Sequence, residues 1–341
     1  MVSGGEKRPF RQVRAWCYIA LAQLAALPLP SRAGLPNTQD LLVGSLNNDS
    51  IKRYFLPTGA YLNDFVASES GGLKRPESFV FGPDGQLYVS SRDTDSVKRY
   101  FAETGQFLKD FVNTRAGGLD APDGLVFDPE GNLLVGSTGT DAILEFFGPT
   151  GQLLREFASG VGLDAPAGMT FGPDGDLFVS SFLTDRVKRY DGETGAFLGD
   201  FVWAKSGGLN GPRELLFGPD GNLYVSSFES DAILMYHGET GQFLRAFIPS
   251  GRGGLNGPRG LLFMDNGNLL VSSFFTDVVK EYYGPTGQFI DDLVNQNSGK
   301  LDGPTALAFI PEPGTLSLFL MGAWAIHRRR PRAFQLGSTT R

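Results

Sequence analysis

Apolar positions in this chain fall in short runs separated by turn residues, and the whole pattern repeats. Leu-X-Val occurs at Leu41, Leu87, Leu133, Leu177, Leu223 and Leu269, in steps of 46, 46, 44, 46 and 46 residues. A Thr-Gly dipeptide keeps the same phase, ending at Gly59, Gly105, Gly151, Gly195, Gly241 and Gly287. One unit, Gly207 to Phe247, reads GGLNGPRELLFGPDGNLYVSSFESDAILMYHGETGQFLRAF. Its Gly-Pro-Asp-Gly-Asn places Pro where a fixed φ starts a turn and Gly where positive φ is needed, and Glu-Thr-Gly does the same later. The runs between, such as Ile233–Tyr236 and Phe243–Phe247, are short, β-branched or aromatic, and bounded by turns, which predicts strands. Gly or Pro recurs at the turns, and the stretches between them, such as residues 222–237, lack helical periodicity, so helices are not expected.

Four strands in about 46 residues is the period of a propeller blade. Six such units span residues 41–310, entering at Leu41-Leu42-Val43, a second strand, and leaving at Ala306–Phe309, an innermost strand. The two ends therefore complete one blade, one strand from the C-terminal side and three from the N-terminal side. That closure leaves no long unpaired edge. A solenoid would need polar capping repeats, and these terminal units look like ordinary members. The expected fold is an all-β, six-bladed propeller of four-stranded blades. The unit resembles the NHL-type repeat. Related sheets occur in gluconolactonase-like enzymes and streptogramin B lyases, and fold alone licenses no chemistry.

Both ends read as addresses. Basic residues up to Arg14 precede an apolar run from Trp16 to Leu29, then Ser31-Arg32-Ala33, a site for signal peptidase with a mature start near Gly34. Residues 1–33 are thus expected to be a signal peptide, and the single cysteine, Cys17, leaves with it. After the last strand come Pro311-Glu312-Pro313, an uncharged stretch from Gly314 to Ile326, and His327-Arg328-Arg329-Arg330. Residues 311–330 resemble a PEP-CTERM sorting segment, with 331–341 a basic and polar tail. The resemblance implies processing by an exosortase-type enzyme, transient membrane association through the segment, and delivery to the surface or matrix of a Gram-negative bacterium. The apolar stretch of 13 residues is short against the ~20 that span a bilayer, and eleven residues follow Arg330, more than is usual in that family.

Charge narrows the partners. Residues 1–33 hold five basic residues and one acid, and residues 314–341 hold five basic residues and none. Of 30 basic and 37 acidic residues in all, 20 and 36 remain in 34–313, a net of −16. Such a body repels phosphate backbones, so nucleic acid is not an expected partner. The 46 glycines and 21 prolines lack the every-third-Gly rule of collagen and serve turns.

Positions that differ between otherwise equal repeats are the candidate site residues. Just after the Pro that opens each inner strand stand Glu77, Asp123, Ala167, Arg213, Arg259 and Thr305, expected to ring the channel mouth. Arg213 and Arg259 could hold a carboxylate or sulfate together, or the charges could neutralise one another. Phe182, Phe228 and Phe274 follow the second strand in three successive repeats and suit stacking on sugar rings or apolar side chains, unless each tucks under a neighbouring loop. Trp203 is expected to join that sector. One Asp per repeat, Asp49, Asp95, Asp141, Asp185, Asp231 and Asp277, is expected to fix its turn through backbone N–H groups, with a calcium site the weaker alternative.

No GxSxG, P-loop or HExxH motif appears. The resemblance to streptogramin B lyases implies a histidine and metal in the channel, yet the one histidine of the mature body, His237, precedes a turn on the other face. Gluconolactonase-like chemistry implies a divalent metal, such as Ca, on carboxylates and Asn. Glu77 and Asp123 could contribute, without a matching Asn. The expected function is binding of extracellular polysaccharide or a protein partner, with no cofactor, and a metal-dependent lactonase or lyase is the alternative.

Overall fold

The computed structural model of the chain describes residues 40–311, so the signal-peptide reading and nearly all of the sorting-tail reading fall outside the described residues. Within them the chain forms six four-stranded antiparallel sheets in a ring, a six-bladed β-propeller. The inner strands of blades 2 to 6 are Pro76–Phe81, Pro122–Phe127, Pro166–Phe171, Pro212–Phe217 and Pro258–Phe263. Blade 1 is the shared one: its inner strand, Pro304–Phe309, pairs with Asp40–Ser45, followed outward by Ser50–Phe55 and Ala60–Val66. Leu41 lies opposite Phe309 and Val43 opposite Leu307, and the Ile310 N–H donates to the Asp40 carbonyl at 3.0 Å. Closure by the two ends is as the repeat phase predicts.

Apolar side chains fill the spaces between neighbouring sheets. Tyr88 meets Phe111 at 4.8 Å and Phe127 of the next blade at 5.0 Å, edge to face, and Phe178, Phe201 and Phe217 repeat the motif at 4.7 and 5.1 Å. Such geometry aligns ring edges with ring faces and locks adjacent sheets in angle.

The repeated Asp residues form the seam between blades. Each adopts left-handed φ at the end of the turn between second and third strands, where Asp is tolerated. Each Oδ1 accepts the backbone N–H before the next blade's opening Pro: Asp49 from Arg75, Asp95 from Ala121, Asp141 from Ala165, Asp185 from Gly211, Asp231 from Gly257 and Asp277 from Gly303, all at 2.8–2.9 Å. The sixth bond closes the ring with the same chemistry as the other five. Their role is structural.

One irregularity positions the site. In each blade the pairing of inner and second strands slips by a residue just after the opening Pro: Pro76 opposes Ser91, while Phe79 opposes Val89. The same bulge occurs in the other five blades. A bulge turns an extra side chain out of alternation, so the second and third residues of each inner strand both face the channel. In three blades a second-strand Ser hydroxyl accepts the third residue's N–H: Ser90 from Ser78 and Ser226 from Glu214, both at 2.9 Å, and Ser272 from Gly260 at 2.7 Å.

Candidate functional site at the channel mouth

The alternation of strand direction puts the turns after the second strand and the connections between blades on one face, around the channel mouth. The second residues of the inner strands meet there as a ring, as the repeat alignment predicts. Arg259 donates through Nη1 to Glu77 Oε2, and Arg213 Nη1 donates to Asp123 Oδ2 at 3.0 Å. Arg92, from the turn beyond the second strand of blade 2, reaches over both acids, at 3.4 Å from Glu77 and 3.6 Å from Asp123. Thr305 donates to the Pro76 carbonyl at 2.9 Å, and the small Ala167 completes the circle.

Three guanidiniums thus face two carboxylates, and the Glu77 and Arg259 side chains are only 2% and 10% exposed. Burial pushes the Glu77 carboxyl up, but the charges of Arg259, Arg213 and Arg92 outweigh it and hold it below the usual range. Burial also pushes Asp123 up, and the neighbouring Glu77 charge adds to this. Each acid of the ring pairs with one arginine, Glu77 with Arg259 and Asp123 with Arg213, and Arg92 is the cation in excess. Arg213 and Arg259 are engaged within the protein rather than displayed as an anion clamp.

The phenylalanines explain how the arginines are held. The Arg213 guanidinium lies 4.1 Å from the Phe182 ring and 5.4 Å from Phe228, and Arg259 lies 4.3 Å from Phe274 and 5.3 Å from Phe228. Each cation is sandwiched between rings of neighbouring blades, a contact that strengthens away from water. Phe182, Phe228 and Phe274 are consequently half-buried. The residues after them are more open: Leu183 is 65% and Phe275 59% exposed. With Phe275 packed on both Phe228 and Phe274, blades 4 to 6 present one apolar sector beside the charged ring.

Below the ring the channel is nearly shut. The space among the second and third residues is about 20 Å³, room for one water at most. Beneath it lies a chamber of about 200 Å³ lined by third to fifth residues of the inner strands. The third residues are Ser78, Gly124, Gly168, Gly260 and Ala306 in five blades and Glu214 in blade 5. Gly124 and Gly168 must be small, since a Cβ would sit 2.0 Å from the Ala167 carbonyl oxygen and 2.4 Å from that of Arg213. Burial raises the Glu214 carboxyl to about 7 against the pull of the Leu215 N–H, and Asp123 adds to the rise. Although protein surrounds that carboxyl, the residue keeps some exposure to the lumen.

Trp203 is not part of this sector. It caps an outer strand of blade 4, where its ring lies 5.4 Å from the Arg186 guanidinium and lines a groove on the outer rim. His237 lies in a turn on the opposite face and accepts the Glu239 N–H at 3.3 Å through Nδ1. A divalent metal does not fit the mouth: Glu77 and Asp123 are committed to three guanidiniums that would repel a cation. Among the described residues no three His, Cys, Asp or Glu side chains converge on a point.

No family model matches the chain, and no curated protein matches it in sequence. Solved structures do match. A protein of unknown function from Bacteroides caccae aligns with a TM-score of 0.62 at 17% identity, over 81% of this chain and all of that one. A chain of a nidogen/laminin complex aligns at 0.63 and 16%, over 80% of this chain and 98% of that one. Virginiamycin B lyase from Staphylococcus aureus aligns at 0.55 and 14%, over 74% and 80%. The likeness is one of fold. It agrees with the propeller expected from the repeats and transfers no site, since identities this low leave the mouth residues free to differ.

Proposed function

We propose that this protein is an exported β-propeller, sorted to the surface of a Gram-negative cell, that works as a binding module and receives a protein partner at its channel mouth. The observation that carries this reading is the apolar sector of Phe182, Leu183, Phe228, Phe274 and Phe275 over a sealed channel. A shut channel suits a docking platform better than a substrate pocket. With Arg213 and Arg259 paired to the ring's own acids, apolar contact is the main source of affinity, and apolar patches rimmed by polar residues mark protein interaction sites. The basic-then-apolar start and the Pro-Glu-Pro, apolar and arginine end support export and sorting by signal peptidase and an exosortase-type enzyme. Polysaccharide is the weaker choice at the mouth, because guanidiniums already occupy ring faces that a sugar would need.

A peptide array probed with wild type and with Leu183→Ser/Phe275→Ser tests this. Burying a large apolar side chain contributes roughly 1.5–3 kcal/mol, so losing two of them should weaken binding of aromatic or aliphatic peptides at least tenfold. The fold should survive because both side chains are mostly exposed. Equal binding by both proteins, or no peptide bound by wild type, removes the mouth as the docking site.

A further inference from the structure

The outer rim of the propeller is not uniform. In each blade one residue of the outermost strand lies directly opposite the middle of the third strand: Asn63, Lys109, Arg155, Gly199, Arg245 and Asp291. In blade 3, Arg155 spans the gap to the next blade and donates to the Glu193 carbonyl at 2.7 Å and the Thr194 carbonyl at 3.2 Å. In blade 5, Arg245 does the same to the Pro285 carbonyl at 3.3 Å. Blade 4 has Gly199 instead. Nothing lies within 4 Å of where its Cβ would be, and its φ of +147° is one that L side chains rarely adopt. At Gly199 no side chain enters the gap.

The result is a groove of about 590 Å³ between the outer strand of blade 4 and the turn of blade 5, within the ~300–1,000 Å³ range of ligand sites. At one end stands Trp203. The equivalent residues in the other blades are Ala67, Asn113, Ser159, Pro249 and Asn295, so the tryptophan is peculiar to the blade that carries Gly199. Arg186 stacks on the indole at 5.4 Å, yet Trp203 remains 64% exposed. Leu198 continues the apolar floor at 50% exposure, and Arg189, Glu239 and Gln242 contribute polar edges.

Charge decides the ligand class. Asp200 in the groove is paired with Lys188 and Arg186, and Arg189 with Asp174 and Asp176. These pairs cancel, which leaves no surplus positive charge for a polyanion, and the body's net of −16 over 34–313 adds to its repulsion. A fixed aromatic plane beside neutral-on-balance polar groups matches the flat apolar faces and equatorial hydroxyls of pyranose rings.

We infer that the groove between blades 4 and 5 is a binding site for a neutral glycan, with Trp203 stacking on a sugar ring and Gly199 providing the space. It lies on the rim and does not rest on the docking of a protein at the mouth.

The test titrates the full chain with cellohexaose, laminarihexaose, maltohexaose and mannohexaose at millimolar concentration, by calorimetry and tryptophan fluorescence. Wild type should bind at least one, Trp203→Ala should lose at least about tenfold in affinity, and Trp203→Phe should stay within a few-fold of wild type, since stacking survives on a smaller ring. Melting curves of these variants should match wild type, because the indole is largely exposed. The Leu183→Ser/Phe275→Ser protein should bind the same glycan unchanged. Affinity unaltered in Trp203→Ala, loss of binding in the mouth variant instead, or no binding of any of the four by wild type overturns the inference.

Discussion

Arg259→Met isolates the charged ring. The substitution keeps an unbranched side chain between Phe228 and Phe274 and removes the partner of Glu77, whose side chain is 2% exposed. Removing one member of a buried pair costs ~3–5 kcal/mol when the other charge is stranded. Two features lower that figure here. Arg92 remains 3.4 Å from Glu77. In addition, a stranded carboxylate can take up a proton, and at pH 7 an acid of ordinary pKa near 4.3 does so for about 3.7 kcal/mol, which sets the ceiling. The expected loss is therefore about 3 kcal/mol, or roughly 6–10 °C in melting temperature for a domain of this size. The same argument fixes the pH dependence: at pH 5 protonating Glu77 costs only about 1 kcal/mol, so the defect should shrink. Glu77→Gln/Arg259→Met removes both charges and should recover to within about 1 kcal/mol of wild type. Thermal and urea melts followed by circular dichroism at pH 5 and pH 7 on wild type, both single variants and the double give the complete cycle. Single variants each within about 1 kcal/mol of wild type, with additive effects in the double, would refute the claim that these arginines are held by the protein's own acids.

Two further outcomes follow from buried polar groups. Glu214 has a folded pKa raised to about 7, so the folded state holds its proton more tightly than the unfolded chain; stability should fall as pH climbs from about 4.5 to 7 and then level off. Glu214→Gln should flatten that decline, by at most roughly 3 kcal/mol and less where channel water reaches the carboxyl; identical pH profiles of melting temperature would exclude it. Tyr100 donates to the Ser70 carbonyl at 2.8 Å, whereas the buried Tyr190 hydroxyl has no protein partner, because the connection ahead of its blade is two residues shorter. Tyr100→Phe should cost about 1 kcal/mol in urea unfolding and Tyr190→Phe close to nothing; equal costs would contradict this account.

The fold was legible because its determinants are local and repeated. Proline opens every inner strand, Gly stands where turns need positive φ, and six copies fix the phase well enough to show the chain ends sharing a blade. Glu77, Asp123, Arg213 and Arg259 were found for the same reason, as unlike residues at one repeated position. Which charge pairs with which was not legible, since Arg259 and Glu77 are 182 residues apart and meet only across the closed ring. Glu214 carries no signal in the sequence, because simple alternation points the residue after Arg213 away from the channel and the bulge reverses that. Arg92 occupies the repeat position held elsewhere by Phe182, Phe228 and Phe274, and nothing in the sequence shows that its length lets it cover both acids. The sequence groups Trp203 with the mouth because it follows an outer strand on the same face. Distance from the propeller axis leaves no mark in the order of residues.

The bond between Ile310 and Asp40 gathers both flanks of the described chain at one point, on the face of the Pro-Asp-Gly and Thr-Gly turns. If the segment from Pro311 onward is what moors the protein, the mooring line leaves from the underside of the ring. The cell surface is then below the turns, and the mouth, a full strand length away, looks outward into the surroundings. The rim groove of blade 4 faces sideways, along the surface rather than away from it. A partner above and a glycan alongside would approach from perpendicular directions and could be held together without competing for space.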